Sequence, residues 1–392
     1  MKNKNIYNFN VNPSRIGTQS EKYDALNRYY GTTDVDPFWV ADMDLQSPKF
    51  LVEALEKRIN HSIYGYTISD PSIFNAIQWW MENQHNVSVN LTSISLSPSV
   101  VTTMSMAIKA FTDIGDNIVI LSPVYGPFFT TITSHNRNVI DLPLVIENNR
   151  FELPYEQIEK SLSKEKVKMF FLCNPHNPGG RVWKRDELEW LVKTCKKNNV
   201  LIFSDEIHSD IVYKPHTHHS ILSIKDAQDI IIMAHSIGKT FNTSGLKSSF
   251  IIIPNNEVKK KLVRQQKLSH VDNINLFGKI AIKTLMSQEG VIYKNELLDY
   301  LRKNTEIVFH ELSKVSLLNP MLPDATFLVW CDFRRCGAWQ ETSKKLINEA
   351  KVALSGGTFF GASGEGWFRV NCGHPRELLI NATERICKIF SH

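Results

Sequence analysis

Short runs of continuous apolar, mostly β-branched residues recur through the middle of the chain: Ile118 to Leu121, Met169 to Leu172, Leu201 to Phe203 and Ile230 to Met233. Runs that are apolar at every position, and not only at alternate ones, suit strands buried on both faces, as in a parallel sheet covered by helices. Between them lie helical patterns such as Arg185 to Asn198, with acids in the first turn and lysines in the last, matching the helix macrodipole. Strand then helix, repeated, predicts an α/β fold: a mostly parallel sheet with helices on both faces. From about Gly290 the pattern changes to a long charged helix (Lys294 to Val315), a short strand (Thr326 to Cys331), a helical stretch (Gln340 to Lys351) and an amphipathic helix (Arg376 to Phe390). This predicts a large domain over 47–289 and a smaller α+β domain over 290–392, the latter joined by an N-terminal arm over 1–46.

A length of 392 residues accommodates that division. Net charge is +5 and thinly spread, with basic clusters only at Lys196–Lys197 and Lys259–Lys261, so no nucleic-acid-binding face is expected. The six cysteines form no C-x-x-C pair, Cys331 and Cys336 standing nearest, so neither a metal site nor a disulfide framework is expected and a reduced, cytoplasmic chain is the simplest reading. Lys2 and Lys4 are followed by no apolar run, so no signal peptide is expected. The uncharged stretches Asn90 to Ile108 and Ile118 to Asn136 both contain proline and many hydroxyls, which argues against membrane spans.

In parallel α/β sheets ligands bind beyond the carboxyl ends of the strands, so the residues after each apolar run hold the chemistry. Cys173-Asn-Pro-His-Asn-Pro-Gly-Gly180 makes a rigid loop that presents asparagine side chains, although a plain turn would read the same. Asp205 in Ser204-Asp-Glu-Ile-His208 directly follows a strand, where an unpaired acid is costly, so a cationic partner is expected. Lys239 in Ala234-His-Ser-Ile-Gly-Lys-Thr240 ends an interior strand, and buried lysines lose their proton readily and form Schiff bases. Asn177, Asp205 and Lys239 stand 28 and 34 residues apart, as one βα repeat per group would place them. Together they supply what pyridoxal phosphate needs: an amide for the ring hydroxyl, a carboxylate for the pyridinium nitrogen and an amine for the aldehyde.

With Trp39 to Pro48 (WVADMDLQSP), Ile63 to Thr67, Ser122 to Phe129 (SPVYGPFF), Asn174 to Trp183 (NPHNPGGRVW), Ser204 to Asp210 (SDEIHSD) and Lys239 to Asn242, the chain resembles the fold-type I pyridoxal-phosphate enzymes. These are the aspartate aminotransferase-like proteins, and the wording is closest to the MalY/PatB family of cystathionine β-lyases and cysteine-conjugate C–S lyases. The resemblance implies that Lys239 binds the cofactor covalently and later moves the substrate Cα proton, and that Asp205 keeps the ring nitrogen protonated. It places Asn177 at the ring hydroxyl, Tyr125 on the pyridine face and His208 at the site wall. The phosphate is expected at Ser99, Val100 and Val101, where a helix begins, with the Ser236 hydroxyl and with Lys247 where many relatives carry an arginine. Arg369 matches the arginine that holds the substrate carboxylate, and the backbone at Ala41 and Asp42 matches a segment that closes over substrate. Tyr66 matches a tyrosine that reaches the neighbouring subunit's phosphate, which implies a homodimer with shared active sites. It is also a candidate to protonate the departing sulfur.

The activity implied is β-elimination from an S-substituted L-cysteine to thiol, pyruvate and ammonia. An aminotransferase on the same scaffold would need the same Lys239, Asp205 and Arg369, and a regulatory protein retaining the cofactor site is a third reading.

Overall fold

A computed structural model describes residues 6–391; Lys2 and Lys4 of the N-terminal arm lie outside the described residues. The larger sheet has seven strands, which in spatial order begin at Ile94, Ser249, Ile231, Leu201, Val167, Asn117 and Asn138. Among the described strands of this sheet, Ser249–Ile252 alone runs opposite to the other six. The continuous apolar runs have a simple cause, because alternate side chains enter two separate cores. Phe170 and Leu172 join Trp80, Leu188 and Leu191 on one face, whereas Met169 and Phe171 join Met104, Ile108 and Leu262 on the other. Helices Pro71–His85 and Arg185–Lys197 cover the first face, and Val100–Phe111 and Asn256–Leu268 the second. Each such fully buried apolar side chain contributes about 1.5–3 kcal/mol by leaving water.

Strands Val167–Cys173, Leu201–Asp205 and Ile231–Ser236 are adjacent and parallel, in a register that sets Cys173 beside Asp205 and Asp205 beside Ala234. Each continues past its apolar run into the polar residues of the sheet edge. One expectation is corrected here: among the described residues no α-helix connects Leu201–Asp205 to Ile231–Ser236, and the crossover holds only the 3₁₀ turn Ile221–Ser223. Buried Glu206 replaces the helix as organiser, accepting hydrogen bonds from Ser204 Oγ at 3.0 Å and the Ile221 amide at 2.8 Å and contacting His218 Nε2 at 3.1 Å.

The smaller sheet has five strands, ordered Asp36–Phe38, Val352–Gly356, Trp367–Asn371, Leu328–Asp332 and Asn319–Met321. The arm thus enters this sheet through Asp36–Phe38, parallel to Val352–Leu354. The long helix runs Gln288–Ser313 and so starts six residues before its expected position, capped by the Ser287 hydroxyl, which accepts from the Gly290 amide. Gly290 lies in its first turn, where a Cβ would collide with the Leu285 carbonyl, so the glycine marks a close approach. The expected strand at Thr326 opens instead at Leu328, since Thr326 has a φ of 70°. No helix among the described residues is long and apolar enough to cross a membrane.

Candidate active site

A cavity of 360 Å³ opens at the carboxyl ends of the three adjacent parallel strands. Lys239 enters it from a one-turn helix, Ile237–Thr240, that follows Ile231–Ser236 directly. Its Nζ donates to the Ala41 carbonyl at 2.5 Å. Burial, reinforced by the positive charge of Arg369, pushes this amine down to about 8. Asp205 lines the same cavity, and burial pushes its carboxyl up to about 6 against the opposing hydrogen bond from the Ile207 amide at 3.1 Å. The expected cationic partner is not a side-chain contact: among the described residues no Lys, Arg or His lies within ion-pair distance of Asp205. A buried carboxylate facing a cavity without a counter-ion is suited to a cationic ligand.

Arg369 stands at the middle of Trp367–Asn371, buried, and not in a surface ion pair at a strand end. Its Nη1 donates to Asn177 Oδ1 at 3.0 Å and its Nη2 to the Trp39 carbonyl at 2.7 Å and Ser355 Oγ at 3.2 Å. Among the described residues Nε has no partner, and the guanidinium lies over the Phe360 ring at 4.8 Å. Burial pushes Arg369 down to about 10. A planar fork with two unspent N–H groups, one on Nε and one on Nη1, beside Asn177 and the cavity, is suited to a carboxylate.

The segment from Trp39 to Met43 crosses between these groups, and each of its carbonyls accepts a side-chain hydrogen bond. The donors are Arg369 to Trp39, Asn371 to Val40 and Asp42, Lys239 to Ala41, and Asn242 to Met43. Ala41 therefore reaches the site through its backbone. The Asp42 carboxylate does not: it pairs with Arg15 at 2.7 Å and Lys22 at 2.9 Å. Sequence reasoning missed Asn371 and Ser355. Asn371 had a signal, since it lies two residues from Arg369 on the same strand face.

At one end of the cavity the helix Val100–Phe111 begins, with Ser99 as its cap accepting from the Thr102 amide at 3.0 Å. The first amides of a helix have no intrahelical partner, so Val100 and Val101 offer N–H groups and a positive dipole end there. Ser236 and Lys247 line the same cavity; Lys247 sits in the left-handed region at φ 50°. Tyr125 and His208 form walls, His208 with an unpartnered Nδ1 and a pKa held well below its ordinary value by burial and by Lys239. Cys173, which sequence reasoning did not place here, also lines the cavity, its thiol pushed up by burial. Tyr66 is apart from this group: it is fully exposed on a loop and lines a separate groove with Tyr64 and Phe277.

These donors fit pyridoxal phosphate: an uncompensated carboxylate, an amine with a lowered pKa, and helix amides with hydroxyls and a lysine for a dianion. The sequence profile described as Aminotransferase class I and II matches residues 40–386. The chain belongs to this family. Within the aminotransferase class I and II proteins it is 38% identical to the cystathionine beta-lyase PatB of Bacillus subtilis (strain 168), over 97% of this chain and 98% of that one. Among solved structures it is similar to cystalysin of Treponema denticola, which contains a pyridoxal 5′-phosphate cofactor, with a TM-score of 0.94 and 28% identity, covering 98% of each chain. It is likewise similar to the PLP-bound C–S lyase of Staphylococcus hominis, with a TM-score of 0.92 and 27% identity, again covering 98% of each.

Proposed function

We propose that this chain is a pyridoxal-phosphate-dependent carbon–sulfur β-lyase that converts S-substituted L-cysteines to thiol, pyruvate and ammonia. The carrying observation is the convergence of Lys239, the unpaired Asp205 carboxylate and Arg369 with Asn177 around one cavity, in a chain 38% identical to a named cystathionine β-lyase. When bound, the cofactor supplies a carbonyl for the substrate amine and an electron sink for the Cα carbanion.

The protein's residues do the rest. Neutral Lys239 would hold the cofactor through its Nζ and, once freed, would take the Cα proton on the same atom. The Ala41 carbonyl, 2.5 Å from Nζ, gives the freed amine a fixed acceptor. Arg369 binds the substrate carboxylate, and with Asn177 it sets the orientation of the Cα–H bond. Asp205, ionised, would keep the cofactor's ring nitrogen protonated. Ser99, Ser236, Lys247 and the amides of Val100 and Val101 hold the phosphate, with Lys247 acting as a point charge in place of an arginine fork. Tyr125 and His208 would form the walls around the cofactor.

The exposed loop with Ile63, Tyr64, Tyr66 and Ile68 supports a second copy of the chain as partner, Tyr66 reaching that copy's phosphate. The same reading assigns 47–289 to the cofactor-binding domain and 1–46 with 290–392 to the smaller one, in a cytoplasmic enzyme.

The test is direct. Purified protein is expected to release thiol and pyruvate from S-alkyl-L-cysteine with no 2-oxo acid added; strict dependence on a 2-oxo acid would make it an aminotransferase. Arg369→Lys is expected to raise KM about 10- to 100-fold, because a point charge replaces a fork hydrogen-bonded on both arms. A KM for substrate within error of the unsubstituted protein would remove Arg369 from the carboxylate site.

Cofactor capture carries its own pH signature. Only the neutral amine attacks an aldehyde, and Lys239 is neutral above about 8. The rate at which cofactor-free protein takes up pyridoxal phosphate is therefore expected to rise with pH and level off near that value. Absorbance after rapid mixing measures it; a rate still climbing near the ordinary lysine value of about 10.4 would contradict the buried environment.

A further inference from the structure

Lys239 rides on a helix of four residues, Ile237–Thr240. A segment this short has no stability of its own, because nucleation costs more than one turn returns. Its orientation must come from tertiary contacts.

The strongest of these lies outside the cavity, at Asp210, whose side chain is wholly buried. Asp210 Oδ1 receives Trp80 Nε1 and His85 Nε2, both at 2.9 Å. Oδ2 receives Thr240 Oγ1 at 2.8 Å and has His235 Nε2 at 3.4 Å as an ion-pair contact. Thr240 directly follows Lys239, and His235 directly precedes Ser236. One carboxylate therefore holds the end of the lysine's turn and the strand leading into it, and ties both to the helix Pro71–His85. Burial would raise the Asp210 carboxyl, but the His235 and His85 rings against it hold it well below the usual range. Asp205 and Asp210 also share one stretch of chain, five residues apart. Hydrogen bonds inside so dry a setting are stronger and more directional than in water.

We propose that Thr240, gripped by Asp210, is a positioning residue for Lys239: its Oγ1 hydrogen bond sets the angle at which the amine meets the cofactor and the substrate Cα hydrogen. The proposal rests on the assignment of Lys239 given above. Thr240 touches neither cofactor nor substrate and acts only through its neighbour. Its methyl and hydroxyl roles are separable, since valine keeps the shape and serine keeps the hydrogen bond.

In Thr240→Val holoenzyme, kcat is expected to fall about 10- to 100-fold with KM unchanged, the size expected from a small displacement of a reacting group. Solvent-deuterium exchange at Cα of L-alanine, which has no leaving group, is expected to slow in parallel. The pH at which the visible band of the bound cofactor shifts is expected to differ from that of the unsubstituted protein. Thr240→Ser is expected to restore all three. Should the valine variant fail to fold, Thr240→Ala removes the same hydrogen bond with less bulk.

Unchanged kcat, exchange and band titration in the valine or alanine variant would overturn the proposal. Equal losses in the serine and valine variants would also overturn it, since the hydroxyl would then not be the cause. Absence of a lysine-bound cofactor band in the unsubstituted protein would overturn the proposed function as well, which separates the two failures.

Discussion

Lys239→Ala is expected to lower thiol release by about 10³-fold or more, because the proposed function gives one side chain both the covalent anchorage and the base at Cα. The protein is expected to remain folded. Among the described residues Lys239 belongs to no ion pair, and its amine sits at about 8 because burial disfavours its charge, so removing it relieves a desolvated group. Circular dichroism and melting would verify the fold. Borohydride reduction followed by peptide mapping is expected to label Lys239 in the unsubstituted protein and no lysine in the variant. Normal turnover in Lys239→Ala, or a label on another residue, would end the assignment.

Asp205→Asn is expected to lower kcat about 10²- to 10³-fold while cofactor still binds, since the proposed function asks this residue to keep the ring nitrogen protonated and an amide cannot. The same substitution has a second readout in cofactor-free protein. The Asp205 carboxyl is raised to about 6 by burial, above its unfolded value, so the folded state binds the extra proton between those two values. Its contribution therefore favours the folded state at low pH and is lost as pH rises through about 6. At pH 8 the unsubstituted cofactor-free protein carries a buried, uncompensated charge, and Asp205→Asn is expected to melt higher. Added cofactor is expected to reverse that order by giving the carboxylate its counter-ion. A melting difference indifferent to pH and cofactor would show that Asp205 is not the group facing the ring nitrogen.

How far each feature was legible depended on the range of the interaction behind it. Val167–Cys173, Leu201–Asp205 and Ile231–Ser236 were readable because apolar continuity is a local pattern, and Asn177, Asp205 and Lys239 because each sits within a few residues of such a strand's end. Ile94–Ser97 and Ser249–Ile252 were not readable. They are four residues long and carry serines whose hydroxyls are satisfied inside the fold, Ser249 by the Ser97 carbonyl and Ser97 by the Ser99 carbonyl. The irregular crossover before Ile231 escaped for a related reason, because its order comes from Glu206 and not from a periodic face.

The sequence by itself determined the parallel α/β sheet, the order of its strand ends and the chemical identity of the lysine, carboxylate and amide placed on them. The tertiary structure decided which distant groups complete them: Arg369 on Asn177, the Ala41 carbonyl on Lys239, and Asp210 on Thr240. It also decided that Asp42 turns to Arg15 and Lys22 and that Tyr66 faces outward. The division has a physical origin. Periodicity and turn chemistry act over a few residues, whereas a hydrogen bond between groups 192 or 198 positions apart forms only after packing has closed the chain around it.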